Sequence, residues 1–293
     1  MLHVKTESAS ALHRNARWTQ WVFLAGLASI LLPTMYDVAR LTWTTEQGGH
    51  APIIVATGLW LLWRELKSTP VKARPGNVWL GSLALVGLLL AYAAARITGI
   101  LEIEGVIMYA SIIAAFYLLV GGALVRALWF PLIYLAAALP PPDTLVSLIT
   151  QPLKIGISES AVSLLYDLGY PIASSGVTIQ IANYQLLVAA ACAGLNSIIT
   201  LSAICLFYVY LRHRSDLKSF ALVGLLIVPV AIFSNFMRVL TLVLITYYMG
   251  EAAAQGFLHE FAGLTVFMVA LLSIIGVDAL FTNMRARRKG TIS

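Results

Sequence analysis

Three side chains with the means to carry out acyl transfer are spread over the C-terminal third of the chain: Cys192, Arg238 and His259. A thiol needs a base to become a thiolate and an acid to protonate its leaving group, and an imidazole alternates between those roles. The tetrahedral intermediate carries an oxyanion, and a guanidinium supplies both positive charge and hydrogen-bond donors to it. Arg238 stands inside the apolar run FALVGLLIVPVAIFSNFMRVLTLVLITYYMG. A charge at membrane depth costs roughly 2.5–3.5 kcal/mol even on the lenient insertion scale, so it normally faces a protein interior or a wet cavity. Asn235, three residues earlier, shares its helix face and could orient the guanidinium or bind substrate. Taken singly, each residue has a duller explanation: a lipid phosphate for Arg238, an interfacial polar residue for His259, a small packing residue for Cys192. Taken together, at one depth, they favour a cysteine acyl-transfer site.

That common depth follows from the elements that must hold them. The chain is 60% hydrophobic and 11% charged, against about 25% charged in soluble domains, which makes it a polytopic membrane protein. Apolar runs fit for crossing a core of about 30 Å as helix fall near residues 18–36, 51–66, 78–97, 105–123, 124–140, 187–211, 219–240 and 261–282. The expectation is an all-α bundle of about eight transmembrane helices. With both termini cytoplasmic, fifteen of the 19 Lys and Arg lie on the inner side, including Arg64, Lys67, Arg212, Lys218 and Arg285. The outer side keeps Arg40, Arg96 and Lys154 and collects carboxylates such as Glu102, Glu104, Asp143 and Glu251. The net charge of +6 is therefore a topology signal. A nucleic-acid role would need a basic folded domain, which is not apparent. The basic start leads into a full-length first span with no small-residue cleavage pattern, so a cleavable signal peptide is not expected. Cys192 falls at the outer start of the sixth span, Arg238 about 30 Å beyond the inner start of the seventh, and His259 just before the eighth. A helix N-terminus also favours thiolate over thiol at Cys192.

The chain reads as one integral membrane domain over 1–293. Residues 18–140 form plain hydrophobic helices that suggest no chemistry, 141–186 an outer-face segment, 187–283 the helices carrying the three residues, and 284–293 a basic cytoplasmic tail. Pro140, Pro141 and Pro142 stop the fifth span. Residues 145–168 have apolar residues at helical spacing, as for a helix along the outer interface. VTIQIANYQLLVA alternates around an Asn-Tyr turn and predicts a small β-hairpin before the sixth span. This segment is equally a cap over a polar site or a structural loop. Cys192 and Cys205 are thirteen residues apart on one predicted helix, about 20 Å, too far for a disulfide. No CxxC, Cys/His cluster or HExxH is present, so neither a metal nor another cofactor is expected. Gly-x-Ser-x-Gly and paired intramembrane aspartates are absent too. A transporter or lipid-handling protein using Arg238 to bind an anion would need polar residues through the inner half of the bundle, where Asp278 is one of few. A noncatalytic assembly subunit would be indifferent to replacement of Cys192.

ACAGLNS around Cys192, NFMR ending at Arg238 and HEFAG beginning at His259, preceded by VTIQIANYQLLVA, resemble the exosortase/archaeosortase family of membrane cysteine transpeptidases. The resemblance covers roughly residues 100–285. It implies an enzyme of the bacterial inner membrane, with its site on the periplasmic side. Its partners would be exported proteins bearing a C-terminal signal, typically a Pro-Glu-Pro-like motif, a transmembrane helix and a basic tail, together with membrane lipid and an envelope acceptor. It further implies Cys192 as nucleophile, His259 as acid and base, and Arg238 as oxyanion or substrate-binding group. Many members carry Cys-Ser-Gly-Leu-Arg where this chain has Cys-Ala-Gly-Leu-Asn, so Asn196 replaces a basic residue at a position implied to bind or orient substrate.

Overall fold

The computed structural model describes residues 2–45, 48–176, 178–187, 194–214, 216–255 and 257–290. Within them the chain is helical apart from one small sheet. Helices α1 (Leu2–Thr42), α2 (Ala51–Ser68), α3 (Val78–Thr98), α4 (Leu101–Val120), α5 (Gly122–Ala127), α6 (Trp129–Ala136) and α7 (Asp143–Asp167) precede strands β1 (Ile172–Ser175), β2 (Thr178–Ile181) and β3 (Tyr184–Leu187). Helices α8 (Gly194–His213), α9 (Leu217–Met249), α10 (Glu251–Gln255) and α11 (Phe257–Gly290) follow. The chain divides into two compact units, Met1–Thr45 with Glu65–Trp129, and Glu46–Arg64 with Phe130–Ser293.

Five helices among the described residues are long and apolar enough to cross a membrane: Trp18–Thr42, Val78–Thr98, Leu101–Val120, Lys218–Met249 and Phe267–Met284. Large apolar side chains stand outward along them, Trp79, Leu83, Leu90, Val228 and Leu272 among them. Such a belt is stable in lipid and would be a liability in water. The expected span at 124–140 is not one helix: α4 stops at Gly121 and the chain resumes as the short helices α5 and α6. Gly121 has φ +82, and a Cβ there would lie 2.0 Å from the Arg74 carbonyl oxygen, so the break requires glycine. The sixth predicted span, 187–211, is helical from Gly194; its first residues lie outside the described ones.

In the first unit α3 and α4 are joined by Gly99 in the left-handed conformation and α1 packs beside them. Contrary to the plain apolar helices expected before residue 140, this unit buries a polar cluster. Glu104 is buried against Thr34, itself hydrogen-bonded to Tyr92 at 2.5 Å, and Arg96 reaches Glu104 at 2.7 Å and Asp37 at 3.9 Å. A carboxylate is tolerated there because it is paired and hydrogen-bonded.

The second unit is organised around α9, whose 33 residues make a rod about 50 Å long. Asp216 caps its start, accepting from the backbone N–H groups of Lys218 and Ser219 at 3.2 Å. Its first half packs on α8 and α11 through a stripe repeating every fourth residue: Leu201, Cys205 and Val209 of α8, Val223, Ile227 and Ala231 of α9, Ala270 and Ile274 of α11. Phe130 of α6 stacks on Tyr210 of α8 at 3.8 Å, with Phe220 of α9 edge-on at 5.7 Å. Its second half meets α7 and the sheet instead: Val239, Leu240, Leu242 and Val243 form one cluster with Ile157, Ala161 and Leu165 of α7 and Ile172, Ile179, Ile181 and Leu186 of the strands. The apolar face of the predicted interfacial helix is thus spent on α9.

The sheet is antiparallel in the order β1-β2-β3, so the sequence pattern missed its first strand. Ile179 and Ile181 alternate inward from β2. Ile181 pairs with Tyr184, which puts the turn at Ala182–Asn183 rather than Asn-Tyr. After glycine, asparagine tolerates positive φ most readily, yet here Ala182 takes it, with φ 50.

Candidate functional site

Arg238 lies 21 residues beyond the start of α9, about 32 Å along it. Its side chain is 9% exposed, and on the preceding turn Asn235 is 6% and Ser234 9% exposed. These three form a buried polar turn at the junction of the two apolar clusters, after Ala231 of the first and before Val239 of the second. Asn235 continues the stripe 223–227–231, which is why it is buried, and Arg238 follows Ala231 by seven residues, two turns on the same face.

The other site residues are placed by backbone. Helices α8 and α9 follow one another across residues 214–216 and share one cluster, so they run antiparallel. Gly194 stands nineteen residues before the end of α8 and Arg238 twenty-one after the start of α9, which puts the first residue of α8 at about the level of Arg238. Cys192, two residues before Gly194, lies outside the described residues. Asn196 is in the first turn of α8. Across α9/α11, Ala231 and Ala270 belong to the same cluster, and seven residues from each toward the same end stand Arg238 and position 263. His259 is the third residue of α11, about one turn, or 6 Å, further out. It gets there because Gly250, φ +87, ends α9, and the five-residue α10 turns the chain back. The structure therefore brings the starts of α8 and α11 to the depth of Arg238.

Two features escape the sequence pattern. At the C-terminal end of α8, Asp278 of α11 is 1% exposed and takes Tyr208 Oη at 2.9 Å, His213 Nε2 at 2.5 Å and Arg212 Nε at 3.9 Å, all from α8. The i, i+4 continuation of 270–274 into 278, and of 205–209 into 213, was a legible signal for it. An apolar groove of about 500 Å³ also runs between α7 and α9, lined by Pro152, Gly156, Ser160, Pro229, Phe233 and Phe236. No group of three or more His, Cys, Asp or Glu suited to a metal occurs among the described residues.

No curated protein and no solved structure gives a significant match. The family model described as Transmembrane exosortase (Exosortase_EpsH) matches residues 42–276, which take in α2 to most of α11 and all three motifs. The chain is a multi-pass membrane protein belonging to the transmembrane exosortase family.

Proposed function

We propose that this chain is a membrane cysteine transpeptidase that cleaves C-terminal sorting signals of exported proteins at the outer face of the bacterial inner membrane. It spans that membrane about eight times with both termini cytoplasmic. Family membership supports the reaction class. The observation that carries the assignment of residues is the buried turn of Asn235 and Arg238 on α9, level with the starts of the two helices that bear the thiol and imidazole motifs.

In this reading the Cys192 thiolate attacks the carbonyl carbon of the scissile bond, and Arg238 donates to the oxygen as it becomes negative. The carbon–nitrogen bond breaks as His259 protonates the departing amine, leaving a thioester on Cys192. An acceptor amine then attacks the thioester carbonyl, gives its proton to His259 and expels the thiolate. Water in place of the amine would give the free acid. Asn235 orients the guanidinium, and Asn196, in the first turn of α8, contributes to signal recognition. The substrate arrives laterally, tethered by its own helix, so encounter is confined to two dimensions.

The test is processing of a co-expressed exported protein carrying a Pro-Glu-Pro-like signal, transmembrane helix and basic tail. Wild type, Cys192→Ala and Cys205→Ala are compared at matched membrane levels. Loss of the processed form with Cys192→Ala alone is expected, because Cys205 is a fully buried member of the inner stripe. Full processing by Cys192→Ala would overturn the mechanism.

A further inference from the structure

The inner tie at Asp278 has no part in the chemistry above, yet it joins the two helices that end at the thiol and the imidazole motifs. Helices α8 and α11 run in the same direction, and both begin at the outer side. Between them the inner stripe supplies Leu201, Cys205, Val209, Ala270 and Ile274. Such contacts are non-directional and resist separation more than sliding. Asp278 is different, because its carboxylate is buried and two short bonds to Tyr208 and His213 hold it. Sliding α11 along α8 by even part of a turn would strip those bonds from a buried carboxylate and leave it without compensation for its lost hydration. Fixing register is the best-attested use of such a buried polar group. From Asp278 to His259 is nineteen residues of continuous helix, about 29 Å, and from His213 to Gly194 also nineteen. Two equal rods tied at one end carry a displacement at the tie directly to their far ends.

We infer that Asp278 is a positioning residue: by binding Tyr208 and His213 it sets the axial register of α8 against α11, and with it the separation of Cys192 from His259. This rests on the Cys–His reading above. A misplacement of about 1 Å by a distant substitution is enough to lower turnover by about a hundredfold. Asp278→Ala should therefore lower kcat by about 10- to 100-fold with KM changed less than about threefold. Asp278→Asn, which keeps an acceptor for Tyr208 and a partner for His213, should restore kcat to within a few-fold of wild type.

A second readout does not need the substrate. In full-length protein lacking Cys205 (Cys205→Ala), the rate of alkylation of Cys192 by iodoacetamide is followed against pH. A thiol held beside His259 should titrate below the ordinary value of about 8.5. His259→Ala and Asp278→Ala should each raise that midpoint, while Asp278→Asn should not. If His259→Ala raises it and Asp278→Ala does not, the positioning role is overturned and the catalytic reading stands. If His259→Ala leaves it unmoved, the Cys–His pairing itself fails and the inference with it. Should Asp278→Ala not accumulate in membranes, Tyr208→Phe combined with His213→Leu removes the same two bonds from the α8 side and is read in the same way.

Discussion

Two arginines mark the two units, and their surroundings differ. Arg96, in the first unit, has a side chain 43% exposed that bridges Glu104 and Asp37, carboxylates from α4 and α1. Arg238, in the second, is buried on the middle of a long helix, one turn from Asn235 and Ser234. Arg96 answers a charge the fold has already buried, and its task ends with neutralising Glu104. Arg238 is buried beside Ser234 and Asn235, where the apolar cluster around Ala231 gives way to the one around Val239. Charge inside a membrane bundle thus has two uses, and what surrounds the guanidinium tells them apart better than its position in the sequence.

Substituting each in turn would break or sharpen this contrast. Arg238→Gln should lower the processing rate by about 10²–10³-fold, the usual cost of removing a donor to a developing oxyanion, with the membrane level of the protein largely retained. Arg96→Gln should leave turnover within a few-fold of wild type. It should instead lower stability by about 1–3 kcal/mol, because Glu104 stays buried with one partner fewer; the exposure of Arg96 keeps this at the lower end. Thermal unfolding in detergent and processing in membranes read the two effects separately. Glu104→Gln added to Arg96→Gln should recover much of the loss, since the buried charge goes with its partner. Equal loss of turnover in both single variants would erase the distinction.

How much of this was legible beforehand follows the same division. The apolar runs and the bias of basic residues fixed a polytopic membrane chain, and an arginine in FSNFMRVLTL was conspicuous because nothing around it is charged. The cluster in the first unit was not, because Thr34, Tyr92 and Glu104 come from three segments separated by up to seventy residues and only packing joins them. Each alone is an ordinary residue near a helix end. Asp278 was legible as a residue on the packed face of its helix, four residues on from Ile274, whereas its pairing with Tyr208 and His213 of another helix came only with the packing. The break at Gly121 was hidden because an uninterrupted apolar run conceals a conformation that depends on the Arg74 carbonyl. Alternation in VTIQI located β2, whereas β1, IASS, has only Ile172 buried and no alternation to read.

A weaker test concerns a titratable group that the second unit keeps neutral. His50, next to the start of α2, is buried, and desolvation pushes its imidazole below the ordinary 6.5, an effect partly offset by its hydrogen bond to the Ala137 backbone. The unfolded chain therefore takes up the proton first. The stability from keeping this ring neutral is complete above pH 6.5 and is lost as pH falls through the lower, folded value. Unfolding temperatures of wild type and His50→Gln should run parallel above pH 7 and converge on acidification. A wild-type curve that falls no faster than that of the variant would mean His50 is protonated freely in the fold.

The smallest effect belongs to the tip of the second unit where Tyr170, Tyr247 and Tyr248 meet at the end of α9. Tyr170 packs edge-on to Tyr247 at 5.2 Å, and its hydroxyl meets that of Tyr248 at 2.8 Å. The bond to Tyr248 raises the Tyr170 pKa above 10, with slight desolvation and the neighbouring hydroxyls adding to it. An acid whose folded pKa is raised contributes stability below its unfolded value and loses it as pH rises through the folded one. Because the bond is exposed, water replaces it readily. Tyr170→Phe should move the unfolding temperature by about a degree at neutral pH, and that difference should vanish above pH 10. Tyr170→Ala also removes the ring contacts and should cost more at every pH. If Phe and Ala behave alike, the hydroxyl pair and not the ring packing ties the sheet to the end of α9, and this tip resembles the first unit's polar cluster more than the apolar cluster on which it sits.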